Sequence, residues 1–279
     1  MFNFNGTLTA SQADSIAFNR GFLYGDSVFE TLKVLDGKVL FLEDHYFRLM
    51  SAMRIIRMEI PMSFTMEFME SQLLDTANAS GCADSARLRM TVFRNAGGNY
   101  LPLSREVSYV ITSTSIEQKV YAIEPGRYEV DLYKDFYVTR QLLSTIKSTN
   151  RIINVTGSIY AAENDLQNCL LMNEQKNIVE ALNGNLFMVF GNKVITPPLS
   201  EGCLNGVMRK QIIEIIKREE NIEFSEETVS PFDLQKADEI FITNVIIGIQ
   251  PITRYRKKEY SADFSKRILG KLNAKIRLY

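Results

Sequence analysis

The chain has a single histidine, His45, and no tryptophan. Its three cysteines, Cys82, Cys169 and Cys203, are scattered and form no CxxC pair. One histidine cannot build a His-rich metal site, and a Ser-His-Asp triad is open only through His45. Acid–base or nucleophilic work therefore falls to Lys, Asp, Glu, Tyr or Cys. An odd number of distant cysteines argues against a disulfide framework or a zinc cage, and suits a reducing cytosol. Charge of one sign is missing as well: 32 Lys plus Arg stand against 33 Asp plus Glu, a net charge of −1. That balance gives no reason to expect nucleic acid or an anionic membrane as a partner. No apolar run approaches the ~18 residues of a membrane span. The opening MFNFNGTLTA lacks the basic and apolar regions of a signal peptide, so a cytoplasmic protein is expected. There is no GxGxxG and no GxxxxGK[ST], and neither dinucleotide nor P-loop binding has sequence support.

What is present is a chain of 279 residues, 46% hydrophobic and 23% charged. That is enough for one large domain or two smaller ones at roughly 100–200 residues each. Ser27–Leu35 reads as a strand, Asp36–Gly37 as a tight hairpin turn and Lys38–Phe41 as the returning strand. Leu42, Tyr46, Leu49 and Met53 recur at helical spacing, giving a helix over Leu42–Ile56. A second helix is expected over Ser63–Ser80, stopped at Gly81, with strands at Ala86–Arg94 and Val107–Thr114. The polar stretch Ser113–Lys119 reads as a linker. Beyond it, Arg127–Leu143 looks extended and Asn150–Leu166 helical. A meander of Cys169–Asn173, Ile178–Leu182, Asn185–Phe190 and Lys193–Thr196 follows. Val207–Glu220 and Ala262–Arg277 read as helices around a strand at Glu239–Thr243. Strands and helices mix without strict alternation, so the expected class is α+β.

Five places carry possible chemistry, each with an ordinary alternative. Lys147 sits in LLSTIKSTNR, where an extended pattern gives way to a helical one, among small hydroxyl residues. Partial desolvation there would lower an amine's pKa and suit imine chemistry; a solvated lysine is the other reading. Glu180 stands mid-strand, where Glu is disfavoured. It is either a solvent-face residue or a buried carboxylate. GCLNGVMRKQ opens the helix at Val207, whose N–H groups either cradle an anion or begin an ordinary helix. Thr243 and Asn244 end a strand, as phosphate donors or as turn residues. Arg48 is the matching cation or a surface arginine. Taken together, a lysine, a carboxylate, an arginine and phosphate-cradling backbone suit pyridoxal phosphate.

The same residues resemble the fold-type IV pyridoxal-phosphate family, the class IV aminotransferases. It includes branched-chain aminotransferases, D-amino-acid aminotransferases and 4-amino-4-deoxychorismate lyases. GDSVFETLKV from Gly25 is similar to the family's GDGVFET-like strand, and LEDHYFRL from Leu42 to its His-then-Arg helix. Lys147, Asn150 and Arg151 fit its K-x-x-N-[RL] segment. Glu180, Asn185, Leu186, Phe187, Val194, Thr196, Leu204, Gly206, Val207 and Arg209 follow its long signature. Leu182 departs from the small residue usual there. The resemblance implies Lys147 as the catalytic amine. It implies Arg48, Lys147, Glu180, Val207, Met208, Thr243 and Asn244 as cofactor contacts, and Phe29, Thr31, Arg94, Tyr100 and Arg151 as substrate contacts. It implies a small α+β domain over 1–115, a linker over 116–122, and a larger domain over 123–279 with a barrel-like core. The cofactor is expected between the domains, in a homodimer. Within the family the motifs are nearest the lyase. The loop Arg94–Pro102 has two glycines and Tyr100 but no histidine and no second arginine. GVMR replaces the GITR common in aminotransferases, and VFETLK replaces the VFEGIR of branched-chain enzymes. The lyase reading implies an aminodeoxychorismate substrate. The alternatives are an aminotransferase acting on an amino acid, and an inactive binding or scaffold homologue.

Overall fold

A computed structural model of the chain describes residues 1–9 and 18–278; Ala10, the last residue of the opening stretch, lies outside them. The chain divides into two compact units. The first comprises Met1–Lys119 and Ile146–Asn150, the second Val120–Thr145 and Arg151–Tyr279. The expected boundary is therefore corrected in one respect: the segment carrying Lys147 belongs to the first unit. The cause is backbone pairing. Phe29 N–H donates to the Lys147 carbonyl at 2.8 Å, and Thr149 N–H to the Ser27 carbonyl at 3.1 Å.

The first unit is built on strands β1 (Phe2–Phe4), β2 (Thr7–Thr9), β3 (Ser27–Leu35), β4 (Lys38–Val39), β5 (Ser85–Arg94) and β6 (Val107–Ser115), with helices α1 (Arg20–Tyr24), α2 (Leu42–Ile55) and α3 (Met66–Ala79). The strands form one antiparallel sheet in the order β2-β1-β6-β5-β3-β4. Alternation along β3 sends Val28, Leu32 and Val34 into a core with Leu49 and Met53 of α2 and Leu73 of α3. Phe29, Thr31 and Lys33 take the opposite face. β6 runs to Ser115, so the first part of the expected linker is strand.

The second unit holds β7 (Glu129–Leu132), β8 (Asn168–Met172), β9 (Ile178–Ala181), β10 (Asn185–Phe190), β11 (Lys193–Thr196), β12 (Glu223–Glu226), β13 (Glu239–Asn244), β14 (Gly248–Ile252), β15 (Arg254–Tyr255) and β16 (Lys258–Glu259), with α4 (Leu142–Thr145), α5 (Ile152–Glu163), α6 (Val207–Ile216) and α7 (Asp263–Arg277). Two five-stranded sheets form, ordered β12-β11-β10-β13-β14 and β16-β15-β7-β8-β9. Leu170 and Ile178 from one and Leu186, Ile240 and Ile252 from the other share a single core. Glu239 on β13 caps α7 from a distance in sequence: its carboxylate accepts from Phe264 N–H at 2.7 Å and Ser265 N–H at 3.0 Å. Arg127–Leu143 is mostly irregular rather than extended, with strand only at Glu129–Leu132. No helix among the described residues is long and apolar enough to cross a membrane.

Candidate active site

In the first unit, residues 146–150 lie along the start of β3, with an antiparallel bridge between Val28 and Ser148. Two side chains clamp the segment. Ser27 and Thr149 hydroxyls meet at 2.6 Å, and Asn150 Nδ2 donates to the Gly25 carbonyl at 3.4 Å. Gly25 has φ +64, and a Cβ there would collide with Asn150 Oδ1, so the position requires glycine. Lys147, half-buried, carries its Nζ 4.7 Å from the centroid of the Phe29 ring. Arg89 brings its Cζ to 3.6 Å from the same ring. Lys147 and Arg89 are therefore neighbours across one phenylalanine. Arg89 is absent from the sequence expectations. Register reveals it: on β5 it stands opposite Thr31, and Arg87 opposite Lys33, so three cations share the face that bears Phe29. Lys33 is only 1% exposed, and burial pulls its amine down to about 8.

The core side of β3 carries a second constellation. Glu30 accepts from Arg48 Nε at 2.8 Å and Nη2 at 2.5 Å, and lies 2.6 Å from His45 Nδ1. Burial alone would raise the Glu30 carboxyl; Arg48 first and then His45 override it and hold it at about 2. Burial lowers the His45 pKa, Glu30 opposes, and the charges of Arg48 and Lys147 reinforce the lowering. Arg48 is thus no solvated surface residue.

Arg94 is held from several sides. Its Nε and Nη2 grip the Asp26 carboxylate at 2.9 and 3.2 Å, while Nη1 and Nη2 donate to the carbonyls of Arg57 and Ile56 at 3.0 and 2.7 Å. Arg20 also holds Asp26, at 2.9 Å, and ties down the loop through the carbonyls of Gly97, Gly98 and Asn99. Burial works against the Asp26 carboxylate, but Arg94 and Arg20 together keep its pKa below the ordinary value. Four of the five Arg94 N–H groups are thus engaged by a carboxylate and two carbonyls. Tyr100 is 92% exposed, its ring 5.8 Å from that of Tyr24.

In the second unit, Glu180 lies on β9 opposite Leu171. It is 6% exposed and accepts from Leu204 N–H at 2.9 Å, which removes the solvent-face alternative. The unusual Leu182 is accommodated by α5: a Cβ on Gly157 would collide with Leu182 Cδ2. α6 begins at Val207, and its N-cap, Gly206, has no side chain to cap it. Its first-turn N–H groups lack partners within the helix. Asn185 joins this terminus to the end of β13. It donates to the Leu204 carbonyl at 2.8 Å, leaves no room for a Cβ on Gly206 and pairs across the sheet with Thr243. Thr243 is 1% exposed, and its hydroxyl is buried without a hydrogen-bond partner. A phosphate ester would satisfy that hydroxyl and the helix terminus together, so these residues fit a phosphorylated cofactor. The Asn244 side chain is engaged within its own turn. Its Oδ1 accepts from Ile246 and Ile247 N–H and its Nδ2 donates to the Asn183 carbonyl, the turn chemistry of the alternative reading. Arg151 is half-buried at the start of α5. Thr196 and Arg209 of the long signature are structural: Thr196 donates to the Leu186 carbonyl, Arg209 to the Pro197 carbonyl and Glu226.

Known proteins resemble this chain in sequence and in fold. A "Putative branched-chain-amino-acid aminotransferase" of Methanocaldococcus jannaschii is 30% identical over 235 residues, covering 84% of this chain and 80% of its own. The aminodeoxychorismate lyase of Vibrio harveyi is 26% identical over 264 residues, covering 91% of this chain and 94% of its own. In structure, the T.th. branched-chain amino acid aminotransferase with pyridoxamine 5'-phosphate superposes with a TM-score of 0.85 at 19% identity, over 97% of this chain and 92% of that one. The sequence profile of amino-transferase class IV matches residues 27–255, a span that includes Phe29, Arg48, Lys147, Glu180 and Thr243. The chain belongs to the class IV aminotransferases, a family of pyridoxal-phosphate enzymes.

Proposed function

We propose that this enzyme is a 4-amino-4-deoxychorismate lyase, releasing pyruvate and 4-aminobenzoate. The observation that carries the reading is the engagement of Arg94 by Asp26 and two carbonyls. It leaves the loop 95–102 with no cation to hold an amino acid's α-carboxylate. An aminotransferase must hold that carboxylate through two half-reactions; a lyase needs no second substrate. The full-length similarity to the Vibrio harveyi lyase supports the same reading.

Bound pyridoxal phosphate supplies an electron sink for negative charge developing beside the substrate nitrogen. In this reading Val207 and Met208 N–H, the Thr243 hydroxyl and Arg48 hold the phosphate. Glu180 keeps the pyridine nitrogen protonated. Lys147 holds the cofactor and then, as a free amine, takes and returns the substrate proton. Phe29 and Thr31 form one wall, Arg89 offers a cation to a substrate carboxylate, and Tyr100 and Arg151 add contacts. Exposed apolar side chains on α5 (Ile152, Val155, Ile159) and α1 (Phe22, Leu23) support a homodimer, and the three buried free cysteines suit the cytoplasm.

The test compares pyruvate release from aminodeoxychorismate, with no added 2-oxo acid, against amino transfer to 2-oxoglutarate. Rapid transfer without lyase activity reverses the reading. It would favour a branched-chain or D-amino-acid type aminotransferase, the second reading, which the 30% identity to the Methanocaldococcus jannaschii protein favours.

A further inference from the structure

The first unit contains a buried group that this mechanism does not use. His45 lies on α2, three residues before Arg48, so both reach the same side of the helix. They meet on one carboxylate. Arg48 donates to both oxygens of Glu30, and His45 Nδ1 lies against Oε2. The Nε2 of His45 is buried and has no hydrogen-bond partner. The charged groups facing the ring are Glu30 on β3, Arg48 on α2 and Lys147 in the segment beside β3. Burial and the two positive charges disfavour an imidazolium, and only Glu30 favours one. A neutral imidazole has a single N–H, and an ionised carboxylate can only accept. The proton therefore sits on Nδ1 and the lone pair on Nε2.

We propose that His45 is a positioning residue for Arg48: as the neutral Nδ1–H tautomer it fixes Glu30, and Glu30 fixes the guanidinium that meets the cofactor phosphate. This rests on the reading of Arg48 as a phosphate cation. Arginine alone is a long side chain with many rotamers, and a two-point carboxylate contact selects one plane. A carboxylate held by that arginine alone could follow its motion. The imidazole holds it from a second direction.

Because His45 is the chain's single histidine, ¹⁵N-histidine labelling reports one imidazole. Long-range ¹H–¹⁵N spectra of the holoenzyme should show a protonated Nδ1 and a bare Nε2, unchanged from about pH 5.5 to about pH 8.5. A titrating ring, or a proton on Nε2, overturns the proposal. Pyridoxal-phosphate affinity, read by fluorescence titration, gives the second arm. His45→Asn retains an N–H near the Nδ1 position and should bind within about threefold of the unaltered protein. His45→Phe fills the space without a donor and should bind roughly tenfold more weakly, the worth of a hydrogen bond to a charged group. Equal affinities for the two variants overturn the positioning role. Arg48→Ala separates the two claims. Unchanged affinity there removes Arg48 from the phosphate, and the positioning role with it. Weakened affinity there, with His45→Phe binding as the unaltered protein does, removes only the role of His45. The spectra need no variant, so a substitution that fails to fold leaves the test standing.

Discussion

The first unit pairs Arg20, Arg48 and Arg94 with carboxylates before any ligand arrives, whereas the second leaves donors open. Arg48 is matched to Glu30, and Arg94 and Arg20 to Asp26. At the end of β13 and the start of α6, by contrast, the Thr243 hydroxyl has no partner and the helix begins behind a glycine N-cap. A paired buried cation keeps its geometry without a ligand, while an unpaired buried hydroxyl carries a cost that a ligand removes. The comparison teaches that substitutions in the paired set should be felt as stability, with cofactor affinity added at Arg48, and those in the open set as cofactor affinity alone.

The largest effect tests the chemistry that the first unit presents. Lys147→Ala should abolish turnover and prevent borohydride from fixing the cofactor to the chain; fixation at an unaltered level would move the catalytic amine elsewhere. Next is Glu180→Gln, which should keep bound cofactor yet lose about a hundredfold in turnover. Near-native steady-state rates would return Glu180 to a structural role. Arg94→Ala breaks a buried pair and should cost about 3 kcal/mol in urea unfolding. If turnover falls while the unfolding midpoint holds, Arg94 touches substrate after all.

Acid should act on the paired set in the same sense. His45, its pKa lowered in the fold, contributes stability that is lost as pH falls below its ordinary 6.5, because the unfolded chain takes up a proton the folded ring resists. Glu30, held at about 2 against 4.5, loses its contribution as pH falls from 4.5 towards 2. The lower window is worth up to about 3 kcal/mol, and Glu30→Gln should flatten it in denaturation curves taken along a pH series. The smallest effect belongs to the open set. Thr243→Val should weaken cofactor binding about tenfold with the apo-protein's unfolding midpoint unchanged or raised. A drop in that midpoint would mean the hydroxyl is not open at all.

Much of this was legible beforehand. Ser27–Leu35, Asn185–Phe190 and Lys193–Thr196 match their strands residue for residue, because alternation and tight turns are local signals. β14 went unread because its GIQPI carries glycine and proline. The strand tolerates Pro251 because it lies at a sheet edge. Sequence alone places the Lys147 segment with the second unit, since its partner strand lies more than a hundred residues away and no local pattern reports that. Sequence alone offers Arg94 and Asn244 as ligand donors, and only the fold reveals Asp26 and the Asn183 carbonyl that their N–H groups meet. One arginine in an alternating strand, Arg89, looks solvated until cross-strand register places it beside Phe29.

The contact between Gly157 and Leu182 has a consequence for how this chain can change. Alanine is the better helix former by about 1 kcal/mol, so Gly157→Ala ought to strengthen α5. With Leu182 in place, the new methyl would meet its Cδ2, so that half-buried side chain must shift and part of the gain is lost. Shortening Leu182 first opens a hole, a loss by itself, but the same methyl then fills it. The two positions should therefore be coupled: the enlargement at 157 gains less beside Leu182 than beside a shorter residue. Of the two orders in which the pair can be exchanged, the one that begins at 182 avoids the side-chain shift.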